Sequence, residues 1–156
     1  MPLKLDFKSG DKMIINGAVI ENVGANAKFI IHNESAILRE KEVLTDADTA
    51  TPASRIYFAL QCAYVFPHQK EENLKRFREF LNDFVAACPS TKPIAEEIEQ
   101  HVANDRLYKG LKLTQKLVAH EAKVFAQLQS GMEKYAREIE AAESGATGES
   151  ARPPAK

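Results

Sequence analysis

Residues 51–65 read TPASRIYFALQCAYV. Thr51 ahead of Pro52 is a helix start. The hydroxyl can accept an orphan backbone N–H, and the proline ring fixes a φ that suits the first helical position. Past its first turn the segment is apolar nearly all the way round, interrupted only by Gln61. A surface helix would show a polar face; one without it belongs in the middle of something. Pro67 stops it, so a helix is predicted over about 52–66. Either other elements of the chain or a second subunit covers it, and the segment itself leaves both open.

The rest of the chain offers candidate covers. Leu74, Phe77, Leu81, Phe84 and Cys88 recur at spacings of three and four and predict a second helix over about 70–87. A third, about 93–104, turns Ile94, Ile98 and Val102 inward and Glu96, Glu97 and Glu99 outward, and Asn104-Asp105 breaks it. A fourth runs from about 106 to 129, with an extension to 143 left open by Gly131. Residues 144–156 lack apolar anchors and are expected to be disordered. Upstream, residues 3–38 read as four or five short strands. LKLDF alternates, Lys8-Ser9-Gly10-Asp11 is a turn, and Asn16-Gly17 between two apolar runs is a strong hairpin signal. The fold class is α+β: a small antiparallel β unit at 1–45, then a helical domain at 46–143 with four helices.

Composition narrows the function. The 156 residues carry a formal net charge of −1, so nucleic acid could be held only by a local patch. Two cysteines, both in helical segments, fit reduced thiols and a cytoplasmic protein. The first residues have charges where a secretory signal needs an apolar run. The apolar run 56–66 is about half of what a bilayer crossing needs, so no membrane contact is expected. The four histidines share no ligand spacing, and neither a glycine-rich phosphate loop nor a nucleophile elbow is present. No catalytic residue, metal site or cofactor is therefore expected, and the chain reads as a non-enzyme.

Charge placement says more. Lys109, Lys112, Lys116 and Lys123 fall in a narrow arc of helix four, with Leu107, Leu111, Val118, Phe125 and Leu128 opposite and expected to pack inward. The row is either a solvated face or a track for phosphates. Glu121 falls on the apolar side, where a buried carboxylate needs a partner, and Arg55 is the candidate for a structural ion pair. In ILREKEV, 37–43, alternation puts Arg39 and Lys41 on one face of any strand continuing there. That face is either a charged edge that blocks sheet pairing or one presented to RNA. Phe7 beside Lys8 and Tyr108 beside Lys109 have the look of aromatics interleaved with lysines for base stacking.

TPASRIYFALQCAYV, the opening MPLKLDFKSGDKMIINGAVIEN, ESAILREKEVL and LYKGLKLTQKLVAHE together resemble the FlbT family of flagellin-synthesis regulators, in order over about residues 2–125. The resemblance implies a bacterial cytoplasmic regulator of flagellum biogenesis acting after transcription. Such a protein associates with the 5′ untranslated leader of flagellin mRNA and promotes its decay, although some members favour flagellin production instead. FlaF, a small protein of the same pathway, is the implied functional partner. The β unit alone, through LKLDFKSGDKMIING and SAILREKEV, is similar to the CsrA family of RNA-binding translational regulators. In that family the first and last strands form the RNA surface, and an arginine in a His-Arg-Glu segment is central. Here the segment is Leu38-Arg39-Glu40, so Arg39 matches and the histidine does not. Strand exchange in CsrA-type chains makes a homodimer an expectation. On this reading Arg39, Lys41, Lys4 and Lys8 form the RNA surface, and Lys109, Lys112 and Lys116 a second contact. The competing reading is an adaptor or chaperone-like module that binds FlaF or flagellin and reaches mRNA indirectly.

Overall fold

The computed structural model describes residues 2–146. Five strands come first: β1 (Leu3–Phe7), β2 (Lys12–Ile15), β3 (Ala18–Glu21), β4 (Ala27–Ile31) and β5 (Ile37–Arg39). Four helices follow: α1 (Pro52–Val65), α2 (Lys70–Ala87), α3 (Lys92–Ala103) and α4 (Leu107–Ala146). The α+β class holds. Asn16 and Gly17 both take positive φ, 50° and 86°, and form the tight β2–β3 turn that the dipeptide predicts. The strands form two small antiparallel sheets. β1 pairs with β4, and β2 lies between β3 and β5, with Met13 opposite Arg39. Leu5, Phe7 and Met13 are buried together, with Ile15, Ile20, Ile31 and Ile37 packed against them.

By their contacts, residues up to Val118 make one compact unit and those from Ala119 a second. In the first, the β unit and the helices share a core. The shift in composition near residue 45 therefore marks a change of secondary structure inside that unit. Leu38, on the last strand, belongs to the core built by α1, α2, α3 and the start of α4. α1 is its axis: Ala53, Ile56, Tyr57, Ala59, Leu60, Ala63 and Val65 are buried, and within the helix only Pro52 and Arg55 are exposed. Other elements of the chain thus cover α1, the first of the two options left open by its sequence. Its start is capped both ways: Thr51 Oγ1 accepts from the Ser54 N–H, and Ser54 Oγ accepts from the Thr51 N–H at 3.0 Å.

α4 approaches α1 closely at Gly110, where an added Cβ would lie 3.3 Å from Leu60 Cδ2 and 3.3 Å from Val102 Cγ2. A Gly110→Val variant should lose about 2 kcal/mol of stability in denaturant unfolding through overpacking. The expected inward face of α4 needs a correction. Leu107 and Leu111 are buried and Val118 is half-buried, but Phe125 and Leu128 are exposed, as is every residue from Ala122 to Ala146. Periodicity shows that a face is apolar; it does not show what covers it. The helix includes residues 144–146 of the expected tail; residues 147–156 lie outside the described residues. No helix among the described residues is long and apolar enough to cross a membrane.

Candidate nucleic-acid interface

The segment joining β5 to α1 carries most of the polar construction. β5 ends at Arg39 because a single 3₁₀ turn, Glu40–Glu42, follows it, so the strand does not continue to Lys41. The turn is held by Glu42, whose Oε2 accepts from the Arg39 N–H at 2.9 Å. Glu42 is only 7% exposed. Its Oε1 accepts from Lys112 Nζ at 2.6 Å and from the Tyr108 hydroxyl at 2.8 Å. Its carbonyl accepts from the Tyr57 hydroxyl at 2.5 Å. Burial pushes the carboxyl pKa up, but the bonds from Lys112, the Arg39 N–H and Tyr108 outweigh it and hold the group below its ordinary value. The same bond to Glu42 raises the Lys112 pKa.

Gln61, the one polar break in α1, faces this segment too. Its Oε1 accepts from the Leu44 N–H at 2.8 Å and its Nε2 donates to the Leu44 carbonyl at 2.9 Å. The Tyr64 hydroxyl accepts from the Ile37 N–H at 3.1 Å. Three side chains of α1, those of Tyr57, Gln61 and Tyr64, thereby satisfy backbone groups that would otherwise be left without partners inside the fold.

On the outside of this frame the structure gathers cations. Lys8, Lys12, Arg39 and Lys41 line a cleft of about 470 Å³ together with Asp6, Asp11, Glu40 and Met13. Two of the three carboxylates are occupied nearby. Asp11 accepts from the Lys8 N–H at 3.0 Å, and Asp6 stands 3.9 Å from Lys28. Among the described residues none of the four cations is in an ion pair. Lys41 reaches the same cleft as Arg39 by way of the turn. Lys4 does not line this cleft; it sits on the outer face of β1, opposite Ile30 of β4.

The α4 row divides. Lys112 is turned toward Glu42, with its ammonium 5.2 Å from the Tyr108 ring centroid. Lys109 lines a second cleft, about 550 Å³, with Tyr64, Arg106, Tyr108 and Lys70; the two tyrosine rings are 6.0 Å apart. Lys70 there is paired with Asp105. Lys116 is exposed and lines neither cleft. Arg55 is exposed, and its Nε donates to the Thr49 carbonyl at 3.2 Å. Glu121 is buried. Among the described residues no three His, Cys, Asp or Glu side chains are grouped as a metal would require.

Sequence reasoning missed Lys12, Arg106 and above all Glu42, which looked like one more charge in an alternating edge. Two signals were available. Arg39-Glu40-Lys41-Glu42 has the spacing of a turn closed by the carboxylate at its third position, and a lone glutamine in an apolar helix needs a buried partner.

Among the described residues the cleft of the β unit thus presents four cations that make no ion pair, and Tyr57, Gln61 and Tyr64 of α1 spend their polar groups on the backbone on either side of Leu38. The family described as "Flagellar protein FlbT" matches residues 3–125. The chain belongs to the FlbT family of flagellar regulators. It is 35% identical over 131 residues to the probable flagellum biosynthesis repressor protein FlbT 1 of Bradyrhizobium diazoefficiens, covering 83% of this chain and 89% of the relative. It is 31% identical over 134 residues to the flagellum biosynthesis repressor protein FlbT of Caulobacter vibrioides, covering 85% and 95%. It is 28% identical over 131 residues to a probable repressor of the same name from Rhodopseudomonas palustris, covering 81% and 100%. No solved structure matches.

Proposed function

We propose that this chain represses flagellin synthesis after transcription, by binding the 5′ leader of flagellin mRNA without chemistry and promoting its decay. One observation carries the reading: four cations that make no ion pair among the described residues converge on a single cleft of the β unit. Family membership supports the flagellar role, and the relatives' names support repression. Lysines and arginine so placed meet phosphate oxygens, and Arg39 can also pair in a bidentate way with a base edge or phosphate. Lys109 and Lys116 are the secondary contacts. Lys112 serves the fold first, through Glu42.

A binding titration of the full chain with a flagellin leader RNA, at two salt concentrations, tests this. Three or four phosphate contacts predict a loss of about tenfold in affinity between roughly 50 and 150 mM salt. Arg39→Ala should weaken binding by roughly tenfold and flatten that dependence. A salt-insensitive complex with FlaF or flagellin, and no affinity for the leader, would favour an adaptor instead.

A further inference from the structure

The cleft of about 550 Å³ that Lys109 lines holds more than a phosphate contact needs. Its volume falls within the roughly 300–1,000 Å³ of small-ligand sites. Three segments wall it: the β4–β5 loop with Glu34, the end of α1 with Tyr64, and the start of α4 with Arg106, Tyr108 and Lys109. Both tyrosine hydroxyls are anchored, Tyr64 at the Ile37 N–H and Tyr108 at Glu42, so neither ring has to be ordered when a ligand arrives. Tyr108 nonetheless keeps 38% of its surface exposed. The ring centroids lie 6.0 Å apart, less than the roughly 7 Å that a flat group sandwiched between two rings requires. A flat ligand therefore lies against the pair, not between the rings. Among the described residues Glu34, Arg106 and Lys109 make no ion pair, whereas Lys70 is paired with Asp105.

Such walls suit a ligand with a flat face, an anion and a hydrogen-bond donor, and a nucleotide has all three. We propose that this cleft holds one unpaired nucleotide of the transcript, its base against Tyr108, its phosphate at Arg106 and Lys109, and an exocyclic amine of the base donating to Glu34. Adenine, guanine and cytosine carry that amine and uracil does not, so a carboxylate in an otherwise cationic cleft selects among bases. The inference rests on the RNA reading and extends it from charge to base. Glu42 joins the two clefts. Arg39, in the first, gives its N–H to one carboxylate oxygen, and Tyr108, in the second, gives its hydroxyl to the other. That continuity favours a strand over a free nucleotide, which would fill one cleft only.

Binding of the full chain to a flagellin leader RNA, at two salt concentrations, tests this with a matched pair of variants. Tyr108→Phe and Tyr108→Leu both lose the bond to Glu42, and only the first keeps an aromatic face. Tyr108→Leu should bind about tenfold more weakly than Tyr108→Phe, with the same salt dependence because neither changes a charge. A second measurement does not depend on how those variants fold. On single strands of about 12 nucleotides, wild type should prefer oligo(C) to oligo(U) several-fold. Glu34→Ala, at an exposed position, should abolish that preference. Equal affinity of the two Tyr108 variants, with Arg39→Ala still weakening binding, overturns the nucleotide site and leaves the RNA reading standing. Absence of any affinity for the leader overturns both. Equal binding of oligo(C) and oligo(U) by wild type overturns the role given to Glu34. Cytidine monophosphate binding as tightly as the strand overturns the transcript as occupant.

Discussion

Glu42→Ala should lower the free energy of unfolding by about 3 kcal/mol, a Tm decrease of roughly 10 °C. The carboxylate receives two charge-assisted or phenolic bonds and one backbone N–H while almost wholly buried. The Lys112 side chain is 47% exposed, so it can rehydrate when its partner is removed, which keeps the loss short of that for a fully buried pair. Glu42→Gln keeps the shape, can keep the phenolic bond and loses the charge, so a smaller loss is expected. The pH dependence follows from the direction of the shift. The folded carboxyl titrates below its ordinary value of 4.5, so its stabilisation is fully present above that value and is lost as pH falls through the folded value. Thermal unfolding of wild type and Glu42→Gln should therefore converge as pH drops below about 4.5. Parallel curves would show that Glu42 does not carry this charge linkage.

Reversing two cleft charges together, Arg39→Glu with Lys41→Glu, should reduce affinity for a flagellin leader about a hundredfold or more at low salt. Each change removes an attraction to phosphate and adds a repulsion of similar size, and the two side chains line one cleft. Both are exposed and free of ion pairs among the described residues, so stability should stay within about 0.5 kcal/mol of wild type. That separates a binding defect from a folding one. Lys116→Glu serves as the comparison; standing outside both clefts, it should cost only a few-fold. Equal effects from all three positions would point to diffuse attraction and remove the cleft from the account.

Much of the fold was legible because its punctuation is local. Thr51-Pro52 opens α1, Pro67 closes it, Asn104-Asp105 separates α3 from α4 with Asp105 at a φ of 58°, and Asn16-Gly17 makes a hairpin. Each signal acts through the backbone of one or two residues. What stayed hidden depends on distant partners. Nothing near β1 tells it to pair with β4, or β5 to return to β2, since those pairings depend on which side chains bury together across 20 or more residues. The candidate site shows the same divide. Lys8 was readable as a cation in a turn and Arg39 and Lys41 as cations on one face of a continuing strand, but only packing separates Lys112, held by a carboxylate 70 positions away, from Lys109 on the same helix. The α4 stripe marks the limit of periodicity: the same i, i+3, i+4 rhythm describes Leu107–Leu111, which is buried, and Phe125–Leu128, which is not.

Leu38 sits on the strand that closes the β unit, yet its side chain is seated among the helices, while Tyr57, Gln61 and Tyr64 are bonded to the backbone just before and after it. The half that would face a transcript is therefore not portable. Cut free near residue 45, it would carry a greasy plug with no socket and a carboxylate with no ammonium; its former scaffold would keep the empty socket. Dissection should yield two insoluble fragments, and the intact unit should melt in one event whether strands or helices are watched.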